Sequence, residues 1–362
     1  MLKKLFILFA WICLHFNAIA LEGYEDGSRW AFVSDETSNK IAIIDTVEKT
    51  FVEHYDLKNI PQQVIVSDIK DILLYHDGAT PTIFAIDLKN GNEWEIKLTN
   101  LPKEIIFYPD GSKIAVLSQN KITIIDPMTQ EINEELENIA NDVSINFSSD
   151  GYKLFITDKN TGETLIWSVY HKFSRNIALG NHQPVSDISL SANSLLALVS
   201  SDNQLIMYNR VEKQQYSPII LDGQLNRPYM SADSKNILVA SDNGKAYVIK
   251  PWQPFAKYSV NIGAAPNIIR TGWLEKVGVI SGYNQIDIFP IDDKGKNTTI
   301  KAEGYIKDMV VTTDSKSLFA VQSQSTKIKA INLRNHEVLD DIETHLTKPK
   351  QIIMGRTNTV CN

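Results

Sequence analysis

The chain is predicted to fold as an all-β propeller of eight four-stranded blades, and three observations in the sequence predict it. A motif of the form apolar-x-apolar-apolar-Asp recurs eight times, in copies that keep the apolar pattern and vary the last residue. Turn residues divide each repeat into four short strands. The first repeat lacks one strand, and the last residues of the chain supply it. The copies start at Ile41, Ile83, Ile122, Leu165, Leu205, Ala246, Ile286 and Ile328, and successive starts lie 42, 39, 43, 40, 41, 40 and 42 residues apart. A period this regular marks one supersecondary unit repeated. Each unit is too small to bury its own apolar face, so the units must stack.

The third repeat shows the strands in order. Residues 103–107 begin a strand after Pro102, and Tyr108-Pro109-Asp110-Gly111-Ser112-Lys113 makes a tight turn. Residues 114–117 form a second strand, Ser118-Gln119-Asn120 a second turn, residues 121–126 a third strand, and residues 131–136 a weaker fourth. The strands are β-branched and alternating, and the breaks hold Asp, Gly, Asn, Ser and Pro. The first turn recurs around Asp150, Asp233 and Asp314, where the carboxylate can accept N–H bonds from its own turn. Inner strands follow Pro61, Pro102, Pro184, Pro228, Pro266 and Pro349, and proline suits a first strand position because no ladder donor is lost there. No ten-residue stretch has helical periodicity. Repeated four-stranded sheets at this period make a propeller.

The two ends predict how the ring closes. Residues 30–34, 40–45 and 50–57 give the first repeat only three strands, and Pro349-Lys350-Gln351-Ile352-Ile353-Met354-Gly355 resembles the inner-strand run Pro61-Gln62-Gln63-Val64-Ile65-Val66. The C-terminal strand therefore joins the first blade. Seven blades, reached by merging two degenerate repeats, is the alternative.

Residues 1–20 are set apart from the fold. Lys3 and Lys4 precede an apolar run from Leu5 to Phe16, and Ala18-Ile19-Ala20 places small residues where a signal peptidase cleaves. This pattern predicts a secretory signal peptide cleaved near Ala20, with a periplasmic or secreted mature protein. The expected organisation is 1–20 signal peptide, 21–355 a single propeller domain and 356–362 a tail. The formal net charge of −7 argues against nucleic acid as a partner, and losing Lys3 and Lys4 makes the chain more acidic still. No later segment is apolar enough to be membrane-embedded. Cys13 leaves with the first segment, so Cys361 has no intramolecular partner and stability must come from packing.

The run Phe32-Val33-Ser34-Asp35-Glu36-Thr37-Ser38-Asn39-Lys40-Ile41-Ala42-Ile43-Ile44-Asp45-Thr46 resembles the bacterial YVTN propeller repeat, and the turn Ser148–Lys153 is similar to that repeat's other half. The resemblance extends over the chain from about Leu21, with the first and fourth repeats nearest consensus. It implies an exported, WD40-like repeat protein that binds a protein partner or a small ligand without catalysis. Related propellers are the large subunits of periplasmic amine dehydrogenases and the haem d1 proteins of nitrite reduction and haem d1 maturation. A redox-associated role, as a haem d1 propeller or an amine-dehydrogenase subunit, is therefore the alternative; otherwise no cofactor is expected.

In a propeller, the loops from outer strand to next inner strand converge with the second-to-third-strand loops on one face, around the central channel. This reasoning selects His76, Asp77, His182, Arg227, His345 and Lys348 as candidate ligand-binding residues. A histidine there could ligate a metal or haem, or move a proton. His182 stands out because Asn181-His182-Gln183 is the least repeat-like connector. Asp35, Asp77, Asp158, Asp202 and Asp242 form an acidic row after the second strands, read as turn caps. Trp252 and Phe255, in the run Pro251-Trp252-Gln253-Pro254-Phe255, are candidates for docking a partner. No catalytic residue or metal ligand set is predicted, since Cys-x-x-Cys-His, H-E-x-x-H and Gly-x-Ser-x-Gly are all missing. The run 85–94 vaguely resembles the Trp-docking repeat of quinone-dependent dehydrogenases, and its Asp-x-x-Asn-Gly is read as a hairpin turn.

Overall fold

Eight blades close into a ring in the computed structural model, which describes residues 21–358 except 172, 252, 293 and 294, with backbone alone at 181 and 253–257. Among the described residues, strands account for nearly all regular structure, and a single 3-10 turn, Gly180–His182, interrupts them. Every copy of the recurring motif lies in a third strand, from Lys40–Asp45 in the first blade to Lys327–Asn332 in the eighth. The third blade has the predicted plan, with Glu104–Phe107, Ile114–Leu117, Lys121–Ile125 and Ile132–Glu137 paired in sequence. The calls on the signal segment, Cys361 and Trp252 lie outside the described residues, and so does the Phe255 side chain.

The ring closes as the chain ends predict. Pro349–Met354 pairs antiparallel with Trp30–Asp35, setting Phe32 opposite Ile353 and Val33 opposite Ile352, so the first blade is built from both ends. Beneath it the chain continues inward: the Arg356 amide donates to Gly27 O at 2.8 Å, and Asn358 Nδ2 donates to Thr271 O at 2.5 Å. Gly355 permits this crossing, because a Cβ there would stand 3.0 Å from the Gly27 Cα.

Blades seven and eight are the ones that periodicity could have merged. Val277–Pro290 runs unbroken through two strand positions: residues 277–280 pair with Ile269–Gly272, and residues 283–288 pair with Thr298–Val311. Thr298–Val311 does the same between blades, pairing by its first half in blade seven and by residues 306–311 with Ser317–Gln322 in blade eight. Two blades share one continuous strand, yet each retains its own core.

That core lies between blades. Eight apolar clusters occur, one at each junction of neighbouring blades. Phe319, Val321 and Ile328 of blade eight meet Val33, Ile44 and Ile352 of blade one, so closure is sealed by the same packing as every other junction. The aspartate turns form as expected. The carboxylates of Asp110, Asp150, Asp233 and Asp314 each accept an N–H from two residues on, at 2.9 to 3.1 Å. Gly111 and Gly151 take the positive φ these turns need, and Ser234 and Ser315 adopt it where glycine is absent.

Candidate functional site

The inner strands meet around the central channel, and most of them are tied to the next blade by one polar side chain. Gln351 of blade one bonds both the N–H and the C=O of Val64 at 3.1 Å. Gln63 of blade two repeats this with Ile105, at 2.8 and 3.0 Å. Ser144 accepts from the Ile188 amide at 3.1 Å, Ser189 donates to Pro228 O at 2.5 Å, and Asn226 donates to Pro266 O. Asn267 donates to Ile306 O at 3.1 Å, and Asp308 accepts from the Ile352 amide at 3.0 Å. Seven of the eight junctions are clasped in this way. The eighth, between blades three and four, is tied instead by Lys103 Nζ donating to Asn141 O at 3.3 Å; Glu104 stands at the position Gln63 occupies one blade earlier and has no hydrogen-bond partner among the described residues.

Charges gather on the wall around that junction. Glu104, Tyr229, Arg270 and Asp308 are partly buried and Arg227 is exposed, and these groups act on one another electrostatically although they come from four different blades. That combination describes a channel lining rather than an outer surface. Burial, reinforced by the nearby negative charge of Asp187 and opposed by Arg227 and Lys159, raises the Glu104 carboxyl to about 7. Burial likewise raises the Asp308 carboxyl against the pull of Arg270, and raises the Tyr229 phenol to about 12. Burial lowers the Arg227 guanidinium, with Asp187 opposing that effect and Arg270 adding to it.

The two arginines have no carboxylate within ion-pair distance among the described residues. Arg227 donates to Ile188 O at 3.0 Å and to Ser189 Oγ at 3.2 Å, and Arg270 donates to its neighbour Ile269 O at 2.9 Å. Asp308, which faces Arg270 electrostatically, spends its oxygens on the amides of Met309 and Ile352. A guanidinium has five donors in a fixed fork, so each arginine retains unused N–H groups.

The residues selected from sequence do not converge on this wall, apart from Arg227. His76 is fully buried behind it, with Nε2 3.3 Å from Gln63 Oε1 and Nδ1 unpartnered, and burial lowers its imidazole to about 4. The top-loop reading had placed His76 in the open; its side chain instead turns in beside the inner strand. Asp77 caps its own turn, accepting from the amides of Ala79 and Thr80 at 3.0 and 2.8 Å. His182 is exposed, 3.6 Å from Glu163 at the start of a third strand. His345 packs against Phe51 and His54 of the outermost strand of blade one. Lys348 pairs with Glu36 at 3.1 Å, and Glu36 also pairs with Lys307 at 2.8 Å. In the acidic row, Asp35 and Asp158 cap their turns as Asp77 does, Asp242 accepts from the Gln224 amide, and Asp202 makes no comparable side-chain bond among the described residues.

Sequence reasoning missed Glu104, Asp187, Arg270 and Asp308. The signal available was their register: each is a charge within or just before an inner strand, where a repeat asks only for apolar residues and a short polar clasp. Among the described residues, no group of three or more His, Cys, Asp or Glu is placed to hold a metal ion. No helix among them is long and apolar enough to cross a membrane.

The fold and the channel define an eight-bladed β-propeller with a charged central channel. Structures similar to it are themselves β-propellers. The dihydro-heme d1 dehydrogenase NirN in complex with DHE matches with a TM-score of 0.71 and 11% identity, over 90% of this chain and 75% of NirN. Apo AztD from Citrobacter koseri matches with a TM-score of 0.66 and 10% identity, over 90% of this chain and 97% of AztD. A second structure of Citrobacter koseri AztD gives the same score and identity over 90% and 96%. Identities this low establish the fold alone. No protein-family model matches the chain, and no curated protein matches it by sequence.

Proposed function

We propose that this protein is an exported, YVTN-type propeller of the bacterial periplasm that binds rather than catalyses, taking a small ligand or the projecting end of a protein partner into the top of its channel. One observation carries the reading: Glu104, Arg227 and Arg270 reach solvent at the inner strands of three blades with hydrogen-bonding capacity that the described residues do not use. Polar groups enclosed by protein and left without partners are costly, and such positions accumulate where a ligand completes them. NirN, a propeller of similar fold, holds a small molecule in its structure. The signal-like first twenty residues support export.

The haem d1 reading is the less supported one. It calls for a histidine at the channel mouth, whereas His76 is buried, His182 stands by Glu163 and His345 lies against the outer strand of blade one.

Fractionation of the native host tests both points. The protein is expected in the periplasmic fraction, colourless, with its N-terminus near Leu21. A cytoplasmic protein retaining residues 1–20 would contradict export, and a visible absorption band lost on His182→Ala would restore the haem reading.

A further inference from the structure

The channel's charge has a sense to it, and that sense identifies a class of ligand. The chain as a whole is acidic, with a formal net charge of −7. Several of its lysines are spent on carboxylates, as in Lys58 with Glu95, Lys159 with Asp142, Lys327 with Glu343 and Lys329 with Asp341. Arg227 and Arg270 differ. Arg227 stands just before the inner strand of blade six and Arg270 in that of blade seven, close enough to act on each other electrostatically, and neither forms an ion pair among the described residues. Asp187 attracts Arg227 more strongly than Arg270 repels it, but neither guanidinium hydrogen-bonds a carboxylate among the described residues, so both keep N–H donors that an anion can use. Forked guanidiniums match a carboxylate's two oxygens with two N–H donors each.

Glu104 fits the same picture. Glutamine at this position would clasp the next blade as Gln63 does, so the glutamate forgoes a structural bond and leaves its carboxyl facing the channel. The charged groups that face it are Asp187 from the run before blade five's inner strand, Arg227 from blade six and Lys159 from the loop after Lys153–Asp158. An anion arriving near Arg227 favours the neutral, protonated form of Glu104, which can then donate a hydrogen bond to it.

We propose that Arg227 and Arg270 together bind the carboxylate of a small anionic ligand in the central channel, and that Glu104 takes up a proton from solvent as the ligand binds. This rests on the channel being the binding site. It has a consequence that channel binding alone does not: affinity rises as pH falls through neutrality, and the rise depends on Glu104.

Calorimetric titration of the full mature chain tests it, using succinate as the carboxylate probe, putrescine as a cationic control and ethanedisulfonate, which stays fully ionised, for the pH profile. Succinate is expected to bind, and to bind about tenfold or more weakly in Arg227→Met and in Arg270→Met. Arg227→Lys and Arg270→Lys keep the charge without the fork and should fall between; circular dichroism confirms that each variant folds. Ethanedisulfonate should bind several-fold more tightly at about pH 6 than at about pH 8 in the wild type, and with little pH dependence in Glu104→Gln. Succinate affinity unchanged in both methionine variants would overturn the inference. So would putrescine binding that is lost in Glu104→Gln, although channel binding itself would then stand. Failure of both probes to bind would count against the inference and the channel reading together.

Discussion

Glu104 stands one blade on from Gln63, the residue paired with His76, and burial moves the Glu104 and His76 titrations in opposite directions. Glu104 goes from an ordinary value of 4.5 to about 7, so the folded protein holds a proton there that the unfolded chain has released. Stability from this group is complete below about pH 4.5 and is lost as pH rises to about 7, a loss of up to about 3 kcal/mol. Glu104→Gln removes the loss and offers a clasp to blade four. The variant should therefore be about 1–3 kcal/mol more stable than wild type at about pH 8 and close to it at about pH 4.5, measured by urea unfolding. An equal or lower stability at the higher pH would remove the idea that a structural bond is forgone here.

His76 works the other way. Its folded value is held near 4 from an ordinary 6.5, so the unfolded chain binds a proton first as the solution is acidified. Stability from a neutral His76 is present above about pH 6.5 and is lost as pH falls to about 4, again by up to about 3 kcal/mol. His76→Leu, which also removes the unpartnered Nδ1, should flatten that acid limb of the stability curve. An unchanged limb would show that His76 titrates freely. These two side chains also show why the site was only partly legible in sequence. A top-loop position predicted an accessible His76, but the residue ends the strand Ile72–His76 opposite Gln63 and is fully buried. Glu104 lies in a strand whose apolar pattern gave no reason to single it out, and its meaning appears only when it is set beside the clasp of the preceding blade.

At the scale of elements, the sequence was far more informative. Turn chemistry predicted the blade plan closely because Asp, Gly and Ser at fixed offsets leave the backbone few options. Third strands were found by pattern because they are buried on both faces, and burial demands apolar residues at nearly every position. Outer strands were weaker in the sequence, and two of them are broken in the structure, as Gln214–Gln215 with Ile219–Ile220 and Glu337–Val338 with Ile342–Glu343. They have a partner on one side only, so little selects their composition. The closing strand is the element on which the ring depends. Ile352 is buried between blades one and eight, and Ile352→Ala should cost about 2–5 kcal/mol in chemical unfolding. Removing the chain from Pro349 onward exposes the edge of Trp30–Asp35 and opens one blade junction. The shortened protein should unfold at lower temperature and over a broader range by calorimetry. A transition as sharp and as high as wild type would mean that closure contributes little.

For the molecule as a whole, repetition makes the scaffold readable and hides the site. Stacked blades share one packing problem, so eight near-copies of one solution are visible in the chain. Binding depends on the few places where a copy departs from the others, and one sequence does not mark which departures matter. Here the departures that the channel brings together are Glu104, Arg227 and Arg270, contributed by three different blades. The direct test is native mass spectrometry of the protein purified from its own host, comparing wild type with Arg227→Met. If the channel is the binding site, the wild type carries a small non-covalent ligand and the variant does not. A ligand retained in the variant, or absent from both, would contradict that assignment.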